Sequence, residues 1–295
     1  MGTYETEMYK AKMYRMEEHV CRICGKRNIN KTYTAKEMMY GTREKFDYFV
    51  CENCNCMQIA KIPEDLGNYY SGDYYSFAER EKIEFEGKGD VGRKVLDVGC
   101  GSGKWLLNQA ENGYGNLYGC DPFIHADICY GDRVYIKKCD IREMDGKFDL
   151  IRFGDSFEHV TNPSETLESV KRLLKEDGKC EIHIPVFPNA AWVEFGVNWY
   201  QLDAPRHIFL YSENSMRYLC EKCGLEIEEM AYNSTASQFL ISYLYTMGLS
   251  LQKINELVNS ILAWNGEIVD GFEKLTKESN KRRFGDHAIF NIVHK

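Results

Sequence analysis

The sequence predicts an α/β protein with a seven-stranded sheet, helices on both faces of that sheet, and a small cysteine-rich module at the N-terminal end. Short apolar runs alternate with helical patterns from about residue 90 to residue 232, which is typical of a parallel sheet. One run leads directly into a glycine-rich turn, and residues 1–60 hold two Cys-x-x-Cys pairs without a long helical pattern. The predicted divisions are a module over 1–62, a tyrosine-rich connector over 63–90, and a main domain over 91–295 with a helical insertion at about 234–280.

The elements of the main domain follow from apolar runs and from residues that start or stop helices. The predicted strands are, in order, Lys94–Val98, Asn116–Cys120, Val134–Lys137, Phe148–Phe153, Lys179–Val186, Leu225–Tyr232 and His287–His294. The predicted helices between them are Lys104–Glu111, Pro163–Lys175 and Ser212–Lys222. Pro163 suits a first helical turn, Ser212 suits an N-cap, and we expect Gly178 and Gly224 to follow helix ends.

Composition and charge narrow the classes of function. The formal net charge is −8, and because residues 1–60 hold 10 basic against 8 acidic side chains, the acidic surplus lies in the main body. Nucleic-acid binding depends on basic surface, so we do not expect a nucleic acid as the principal partner. No stretch approaches the roughly 18 apolar residues of a membrane span, and the N-terminus lacks a signal-peptide core. We therefore expect a cytoplasmic protein without a membrane partner.

A glycine-rich turn is the strongest single signal. The segment Val95–Gly103 reads VLDVGCGSG, an apolar strand followed by a turn with Gly99, Gly101 and Gly103, and a helix follows. Glycines at these positions permit unusual backbone angles and let a ligand lie against the main chain. The N–H groups at the start of the next helix would point at that ligand. A tight turn without a ligand is the alternative interpretation.

Three aspartates accompany this turn. Asp97 lies two residues before Gly99, which gives the pattern D-x-G-x-G-x-G. Asp121 ends the next predicted strand, 18 residues after Gly103, where a carboxylate binds ribose hydroxyls in nucleotide-binding folds. Asp140 ends the strand after that.

This pattern resembles motif I of class I S-adenosylmethionine-dependent methyltransferases, and the segment FDLIRFGDSFEHVTNP (148–163) resembles their fourth-strand motif. The segment WYQLDAPRHIFLYS (199–212) resembles a bacterial subgroup that acts on sugars and other small metabolites and commonly begins with a four-cysteine module. The resemblance implies a Rossmann-like methyltransferase sheet with S-adenosylmethionine as cofactor. The cofactor-binding residues that it implies are Asp97, Gly99, Gly101, Gly103, Asp121, Asp140 and, from a segment that folds over the cofactor, Tyr75.

The N-terminal module has the spacing of a metal site. Its two pairs are Cys21 with Cys24 and Cys51 with Cys54, and 26 residues separate the pairs. Four thiolates close a tetrahedral structural zinc site, as in a zinc ribbon. Cys56 is a substitute ligand that would break the pair spacing. The alternative is that these are free cysteines in an ordinary small domain.

Two histidines are the candidates for a general base, which the acceptor of a methyl group can require. His159 follows the predicted fourth strand and His207 lies in the loop after the fifth, at the edge of the sheet where ligands bind in open α/β folds. Both could instead be structural. Glu158 is a weaker candidate for the base, and Arg206 is a candidate for binding an anionic group of the substrate.

Aromatic residues suggest a lid and an acceptor pocket. The connector has tyrosines at positions 69, 70, 74 and 75, which could cover the cofactor or, equally well, pack as a linker helix. Aromatic side chains between residues 190 and 200 could line a pocket for the acceptor. These side chains are Trp192, Phe195, Trp199 and Tyr200.

The leading hypothesis is an enzyme that methylates a small metabolite, such as a sugar or nucleotide-linked sugar, at oxygen or carbon. A second is modification of RNA or protein, with the zinc module as the recognition element. A third is a non-catalytic S-adenosylmethionine-binding protein, and a dehydrogenase is a fourth, although its fingerprint G-x-G-x-x-G is not the spacing seen here. The helical insertion could cover the sheet or form a homodimer contact.

Overall fold

The structure is a computed structural model that describes residues 13–70, 85, 87–264 and 266–295. Its contacts divide the chain into two compact units. Unit 1 comprises Met1–Tyr69, Pro185–Tyr218 and Ala231–Ala288, and unit 2 comprises Tyr70–Ile184, Leu219–Met230 and Ile289–Lys295. The N-terminal cysteines thus share a unit with two later segments, and the domain boundaries inferred from sequence stay a prediction.

The strands and helices alternate along most of the chain. The strands are β1 (Arg15–Val20), β2 (Arg27–Lys36), β3 (Lys45–Val50), β4 (Met57–Ile59), β5 (Val95–Val98), β6 (Leu117–Cys120), β7 (Ile128–Tyr130), β8 (Val134–Lys137), β9 (Phe148–Gly154), β10 (Leu174–Pro185), β11 (Phe209–Leu210), β12 (Leu225–Tyr232) and β13 (His287–His294). The α-helices are α1 (Lys104–Glu111), α2 (Pro163–Leu173), α3 (Ala190–Phe195), α4 (Glu213–Cys223), α5 (Ser237–Thr246), α6 (Leu251–Trp264) and α7 (Gly266–Lys281). Short 3-10 turns include Leu66–Tyr70, Ile141–Glu143, Phe157–His159 and Tyr200–Leu202.

The larger sheet belongs almost entirely to unit 2. Its strand order is β12-β13-β10-β9-β5-β6-β8-β7. The five strands β10, β9, β5, β6 and β8 pair parallel with one another in this order, and β7 pairs antiparallel with β8. The predicted α/β sheet is confirmed, with all seven expected strands and β7 added at the edge. Because the central strands are parallel, their carboxyl ends meet at one edge of the sheet.

The core of unit 2 forms between this sheet and α1. Leu106 and Leu107 of α1 are buried together with Leu117, Val134 and Ile136 of the adjoining strands. Burial of each such side chain contributes about 1.5–3 kcal/mol. All four residues of β5 are buried, as the continuous apolar run predicted. This packing holds the glycine-rich turn, which joins β5 to α1.

Two predicted boundaries are wrong, the end of one helix and the start of the strand that follows it. The helix expected over 163–175 ends at Leu173, and β10 begins at Leu174 instead of Lys179. Leu174 is buried and pairs with Phe148 at the start of β9, with a register shift before Lys179. Gly178 lies in this irregular stretch, where a Cβ would lie 2.9 Å from the carbonyl oxygen of Phe148. Gly178 therefore allows β9 and β10 to approach closely, and it does not end a helix.

Unit 1 contains a second, antiparallel sheet. Its order is β1-β2-β3-β4-β11, so the N-terminal strands pair with a short strand from residues 209–210. Tyr48, Phe49, Met57 and Phe209 are buried in it. The predicted N-cap Ser212 is confirmed, since its Oγ accepts the N–H of Ser215 at 3.1 Å.

The predicted helical insertion forms α5, α6 and α7, all within unit 1. Met38 packs in one apolar cluster with Leu244, Tyr245 and Ile254 from the first two of these helices. The main-chain N–H of Leu251 donates to the carbonyl of Met38 at 2.9 Å, which ties the start of α6 to the segment after β2. In the parts of the chain that the structure describes, no helix combines the length and apolar character needed to cross a bilayer.

Candidate functional site

The backbone of the glycine-rich turn has a conformation that residues with a Cβ rarely adopt. Gly99, Gly101 and Gly103 have φ angles of 71°, 54° and 84°. These lie in the left-handed region, which disfavours residues with a Cβ. A Cβ on Gly99 would lie 2.6 Å from the Cβ of Ser156, and one on Gly103 would overlap Ile136. The main chain of the turn is therefore packed closely against β8 and the end of β9.

Asp121 fixes this turn to the end of β6. Its Oδ2 accepts the N–H of Gly101 at 2.9 Å and its Oδ1 accepts the N–H of Phe123 at 2.8 Å. Burial raises the pKa of Asp121, and these two hydrogen bonds lower it in part. A carboxylate has about four acceptor positions, so with respect to the described part of the chain one lone pair remains on each oxygen.

Asp140, at the end of β8, is used as a helix cap. Its Oδ1 accepts the N–H of Arg142 at 3.0 Å and the Nε of Arg142 at 2.7 Å, and Glu143 completes a capping box. Burial raises the pKa of Asp140, but Arg142 outweighs this and holds the pKa below its usual value. The side chain is oriented by its own turn, and its predicted role in binding the cofactor stays a prediction.

Asp97 is paired with an arginine that the sequence interpretation did not single out. Asp97 of β5 lies opposite Arg152 of β9, and Arg152 Nη1 donates to Asp97 Oδ1 at 3.0 Å. Burial raises the pKa of Asp97 to about 6, against the opposing effect of Arg152. The signal in the sequence was a charged residue inside the apolar run LIRF (150–153).

His159 lies in unit 2, in the turn that follows β9. Its Nδ1 is 2.9 Å from the hydroxyl of Tyr70, and the Tyr70 ring stacks on Phe123 with centroids 6.0 Å apart. Tyr70 of the connector thus contacts His159, the predicted base, and Phe123, whose N–H donates to Asp121. Tyr74 and Tyr75 lie outside the described residues.

His207 lies in unit 1, where a main-chain carbonyl orients its ring. Its Nδ1 is 2.7 Å from the carbonyl oxygen of Gln201. Because a carbonyl oxygen can only accept, Nδ1 carries a hydrogen and donates it to Gln201. Asp203 Oδ2 lies 3.8 Å from Nε2, on the other side of the ring. The role of His207 as a general base stays a prediction.

Arg206, the candidate for binding an anionic group of the substrate, is a buried residue of unit 1 with two carboxylate partners. Its side chain is fully buried, its Nε donates to Asp203 Oδ2 at 2.8 Å, and its Nη2 donates to Glu37 Oε1 at 3.1 Å. Burial lowers the pKa of Arg206, but the two carboxylates outweigh it and raise the pKa above its ordinary value. The guanidinium ties together two segments of unit 1.

Two of the aromatic residues predicted to line an acceptor pocket are instead core residues of unit 1. Trp199 is 1% exposed and its indole N–H donates to Asp286 Oδ2 at 3.0 Å. Phe195 is 3% exposed and its ring packs on Phe239. Trp192 is half-buried between the rings of Tyr33 and Phe187. The aromatic pattern here reflects packing.

The four predicted metal ligands converge in unit 1. The Sγ atoms of Cys21, Cys24, Cys51 and Cys54 all lie within 4.8 Å of one another. The Cys21–Cys54 and Cys24–Cys51 sulfur pairs are both 3.6 Å apart. A zinc ion with bonds of about 2.3 Å to four sulfurs would place them roughly 3.8 Å apart, so this cluster fits a tetrahedral ion. Cys56 lies outside it, and burial raises the pKa of its thiol well above the ordinary value.

The two cysteine pairs share one local structure. The N–H of Gly25 donates to the carbonyl of Cys21, and the N–H of Asn55 donates to the carbonyl of Cys51, both at 2.9 Å. Gly25 and Asn55 have positive φ angles of 71° and 58°. Glycine and asparagine are the residues that tolerate this conformation best. Each pair is therefore presented by a tight turn, which the sequence signals as a glycine or asparagine directly after the second cysteine.

Comparison with known families settles which family this chain belongs to. A family model described as a methyltransferase domain matches residues 70–230, more than half of the chain. The chain belongs to this methyltransferase family. The match begins at Tyr70, the first residue of unit 2, and includes the glycine-rich turn, Asp121 and His159.

Curated relatives of this methyltransferase are similar over a shorter stretch. The ubiquinone biosynthesis O-methyltransferase of Glaesserella parasuis serovar 5 (strain SH0165) is 35% identical over 107 residues, which cover 30% of this chain and 44% of that protein. The protein of the same name from Dechloromonas aromatica (strain RCB) is 34% identical over 100 residues, covering 30% and 43%. The chain thus spans less than half the length of these relatives.

Solved structures to which this chain is similar include magnesium protoporphyrin IX methyltransferase from Synechocystis PCC 6803 with bound SAH. It superposes with a TM-score of 0.42 at 15% identity, over 69% of this methyltransferase and 75% of that chain.

Sequence reasoning also missed a residue beside the cysteine cluster. Gln58 of β4 is fully buried, its Nε2 donates to Cys21 Sγ at 3.1 Å, and its Oε1 accepts the N–H of Arg22 at 3.0 Å. A side-chain amide that donates to a thiolate orients the ligand and moderates its charge. Nothing in the local sequence distinguishes this glutamine, because its role depends on the pairing of β4 with β3 and β11.

Proposed function

We propose that this protein transfers the methyl group of S-adenosylmethionine to a small-molecule acceptor, with sugars and nucleotide-linked sugars as the first acceptor class. The observation that carries the proposal is the turn of three left-handed glycines tied by Gly101 to Asp121. Such a turn leaves main chain accessible to a nucleoside and places a carboxylate beside it. Membership of the methyltransferase family supports the reaction class.

The residues of unit 2 fit the nucleoside part of S-adenosylmethionine. Asp121 is buried and oriented by two N–H donors, and its remaining lone pairs match the two hydroxyls of a ribose. The first turn of α1, which begins after Gly103, offers backbone N–H groups beside the loop. Asp140 would hold the adenine end. When bound, the cofactor supplies a methyl group on a positively charged sulfur, and the protein aligns it with the acceptor.

A hydroxyl acceptor loses a proton during methyl transfer, and we propose that a histidine accepts this proton. His159 shares unit 2 with the glycine loop and is held by the Tyr70 hydroxyl. His207 is supported by the orientation of its ring, because Nδ1 donates to the Gln201 carbonyl and Nε2 is then the nitrogen that would take the proton. Both histidines are therefore retained as candidates, and mutation separates them.

The histidine test compares His159→Gln with His207→Gln. We expect the variant that lacks the base to lose about 10²–10⁴-fold in kcat, because that is the usual contribution of general base catalysis. Its affinity for S-adenosylhomocysteine, measured by calorimetry, should change less than about twofold, which separates loss of chemistry from loss of the fold. If neither variant loses more than about tenfold in kcat between pH 6 and pH 9, no histidine of this pair is the base.

Two acceptor chemistries merit testing. The sugar class is supported by the resemblance of residues 199–212 and of the four-cysteine module to the sugar-modifying subgroup. A phenolic precursor of a quinone, methylated at oxygen, is the second class, and the name of the curated relatives favours it. Both classes present a hydroxyl, so the same base would serve either.

We infer, in addition, that Cys21, Cys24, Cys51 and Cys54 hold a structural zinc ion. The spacing of their sulfurs supports this assignment. Such a site would stabilise the turns on which the first strands of unit 1 converge, since metal binding to cysteines adds to folding free energy.

The proposed activity is tested with purified protein, methyl-labelled S-adenosylmethionine and a cell extract separated into small-molecule and macromolecular fractions. We expect label in the small-molecule fraction, lost with Gly101→Arg, which fills the glycine turn, and retained with Gly113→Asn. Gly113 has a φ of 92° with open space around it, so it is a matched glycine away from the turn. Nucleotide sugars and a catechol then form the panel of defined acceptors.

The outcomes distinguish the alternatives. Label in RNA or protein alone would reject the small-molecule acceptor and point to the cysteine module as a recognition element. Cofactor binding without transfer to any fraction would identify a non-catalytic binding protein. Label on the catechol but on no sugar would reject the sugar class and keep the enzyme class.

A further inference from the structure

Beside the glycine loop, three adjacent strands carry charged residues of alternating sign in register. Arg152 of β9 pairs with Asp97 of β5 on one side and with Glu181 of β10 on the other. His183, two residues after Glu181, lies opposite Gly154, and its Nε2 is 3.7 Å from Glu181 Oε2. A cation in the middle of a sheet next to a ligand loop requires a reason, because placing charge there costs desolvation.

The head group of Arg152 is held in a defined place. Its Nη1 donates to Asp97 Oδ1 at 3.0 Å, and its guanidinium carbon lies 4.6 Å from the ring centroid of Trp105. A Cβ on Gly154 would overlap the guanidinium, so the glycine at the end of β9 leaves the space that the head group fills. The side chain thus reaches along β9 to its carboxyl end, the edge at which the glycine loop lies.

Part of this guanidinium remains available to a ligand. The side chain is 15% exposed, and its ion pair with Asp97 uses Nη1. An arginine has five N–H donors. Among the residues that the structure describes, no acceptor is hydrogen-bonded to its Nε or Nη2. Asp97 and Trp105 therefore hold the guanidinium in place, while its Nε and Nη2 can still donate to a ligand.

The order of the strands indicates which part of the cofactor would meet this group. Asp121 follows β6 and Asp140 follows β8, and both strands lie on one side of β5, whereas β9 lies on the other. S-adenosylmethionine is a linear molecule with adenosine at one end and an amino acid at the other. If the ribose lies at Asp121, the amino-acid end extends across β5 toward β9.

We propose that Arg152 binds the carboxylate of the amino-acid part of S-adenosylmethionine, with Asp97 holding the guanidinium in place. A guanidinium matches a carboxylate with two parallel N–H donors, and stacking on an aromatic ring limits its rotamers. The adjacent Asp97 carboxylate provides the opposite charge for the ammonium of the same amino acid. This inference rests on the proposed function, and it names the residue that distinguishes the complete cofactor from derivatives without a carboxylate.

The test measures dissociation constants by calorimetry for S-adenosylmethionine and for its decarboxylated form, which lacks only the carboxylate. We expect the wild-type protein to bind the complete cofactor about tenfold or more tightly, since a hydrogen bond between charged groups is of that strength. In Arg152→Met this ratio should fall to near one, mainly through weaker binding of the complete cofactor. Arg152→Lys keeps the positive charge but lacks the two parallel N–H donors, so its ratio should lie between those of the wild-type protein and Arg152→Met.

A matched control and a wild-type comparison keep the result interpretable. Arg142→Met removes an exposed arginine paired with Asp140 on the opposite side of β5, and it should leave the ratio unchanged. The wild-type ratio does not depend on whether any variant folds, so a ratio near one there overturns the inference. A ratio that persists in Arg152→Met, checked to be folded by its melting temperature, overturns it as well. Failure of the wild-type protein to bind either compound would reject the proposed function itself.

Discussion

The glycine loop of unit 2 and the cysteine cluster of unit 1 are built on opposite principles. The loop depends on side chains that are missing, because Gly99 and Gly103 have positive φ angles and no room for a Cβ. The cluster depends on side chains that are present, because the four sulfurs of its cysteines lie within 4.8 Å of one another. Adding atoms should therefore destroy the first site, and replacing one sulfur with oxygen should destroy the second.

The largest expected effect is at the loop. Gly103→Ala adds a Cβ that would overlap Ile136 at a φ of 84°, so we expect binding of S-adenosylhomocysteine to weaken by more than about tenfold and the melting temperature to fall. Gly113→Ala is the control, because it has a φ of 92° and open space. It should cost only about 1 kcal/mol of backbone strain. Equal loss of binding in both variants would show that space at Gly103 is not the deciding factor.

The next effect is at the cysteine cluster. Cys24→Ser should abolish the roughly one zinc ion per chain that we expect in the wild-type protein, because an alcohol is a poor zinc ligand. Elemental analysis and the melting temperature with and without a chelator measure this. Cys56→Ser, next to the cluster but outside it, should keep the metal. Loss of zinc from Cys56→Ser with retention in Cys54→Ser would reverse our assignment of the fourth ligand.

The smallest effect concerns a buried carboxyl in unit 1. Burial raises the pKa of Asp286 to about 6, although hydrogen bonds from Trp199 and Ser234 lower it in part. The folded state therefore holds this proton more tightly than the unfolded state. The resulting contribution to stability is fully present below the ordinary pKa of about 3.8 and is lost as the pH rises through about 6. The melting temperature should accordingly decline between about pH 4 and pH 6.

Asp286→Asn is the variant for this prediction, since an amide oxygen can still accept the Trp199 N–H. Its melting temperature should decline less over the same pH range. Burial also raises the pKa of Asp97 in unit 2 to about 6. Asp97→Asn should therefore also reduce the decline of the melting temperature over this pH range. A pH profile that is identical in the wild-type protein and both variants would contradict the assigned pKa values.

Motifs with short spacing were predicted well. The helix Lys104–Glu111 and the strand His287–His294 have the bounds expected from sequence, and the four cysteines converge as expected. These features depend on hydrophobic period, on glycine conformation or on two tight turns, all of which act over a few residues. Neighbouring residues in the chain therefore contain enough information.

Charged and aromatic residues were predicted less well. Arg206 and Trp199 were expected at a substrate pocket, yet each is buried against a carboxylate that lies far away in the sequence, Glu37 and Asp286 respectively. An arginine or a tryptophan looks the same in sequence whether it binds a ligand or a buried acid. Only the partner distinguishes the two roles, and the partner is selected by the fold.

The sequence by itself determined the α/β sheet, the glycine turn with Asp121 after the next strand, and the four-cysteine cluster, because local backbone conformation and periodic burial specify them. The tertiary structure alone decided that Arg152 stands beside Asp97, that Gln58 donates to Cys21, and that Tyr70 meets His159. These contacts join residues 55, 37 and 89 positions apart. Strand order and register bring such residues together, and no local pattern encodes either.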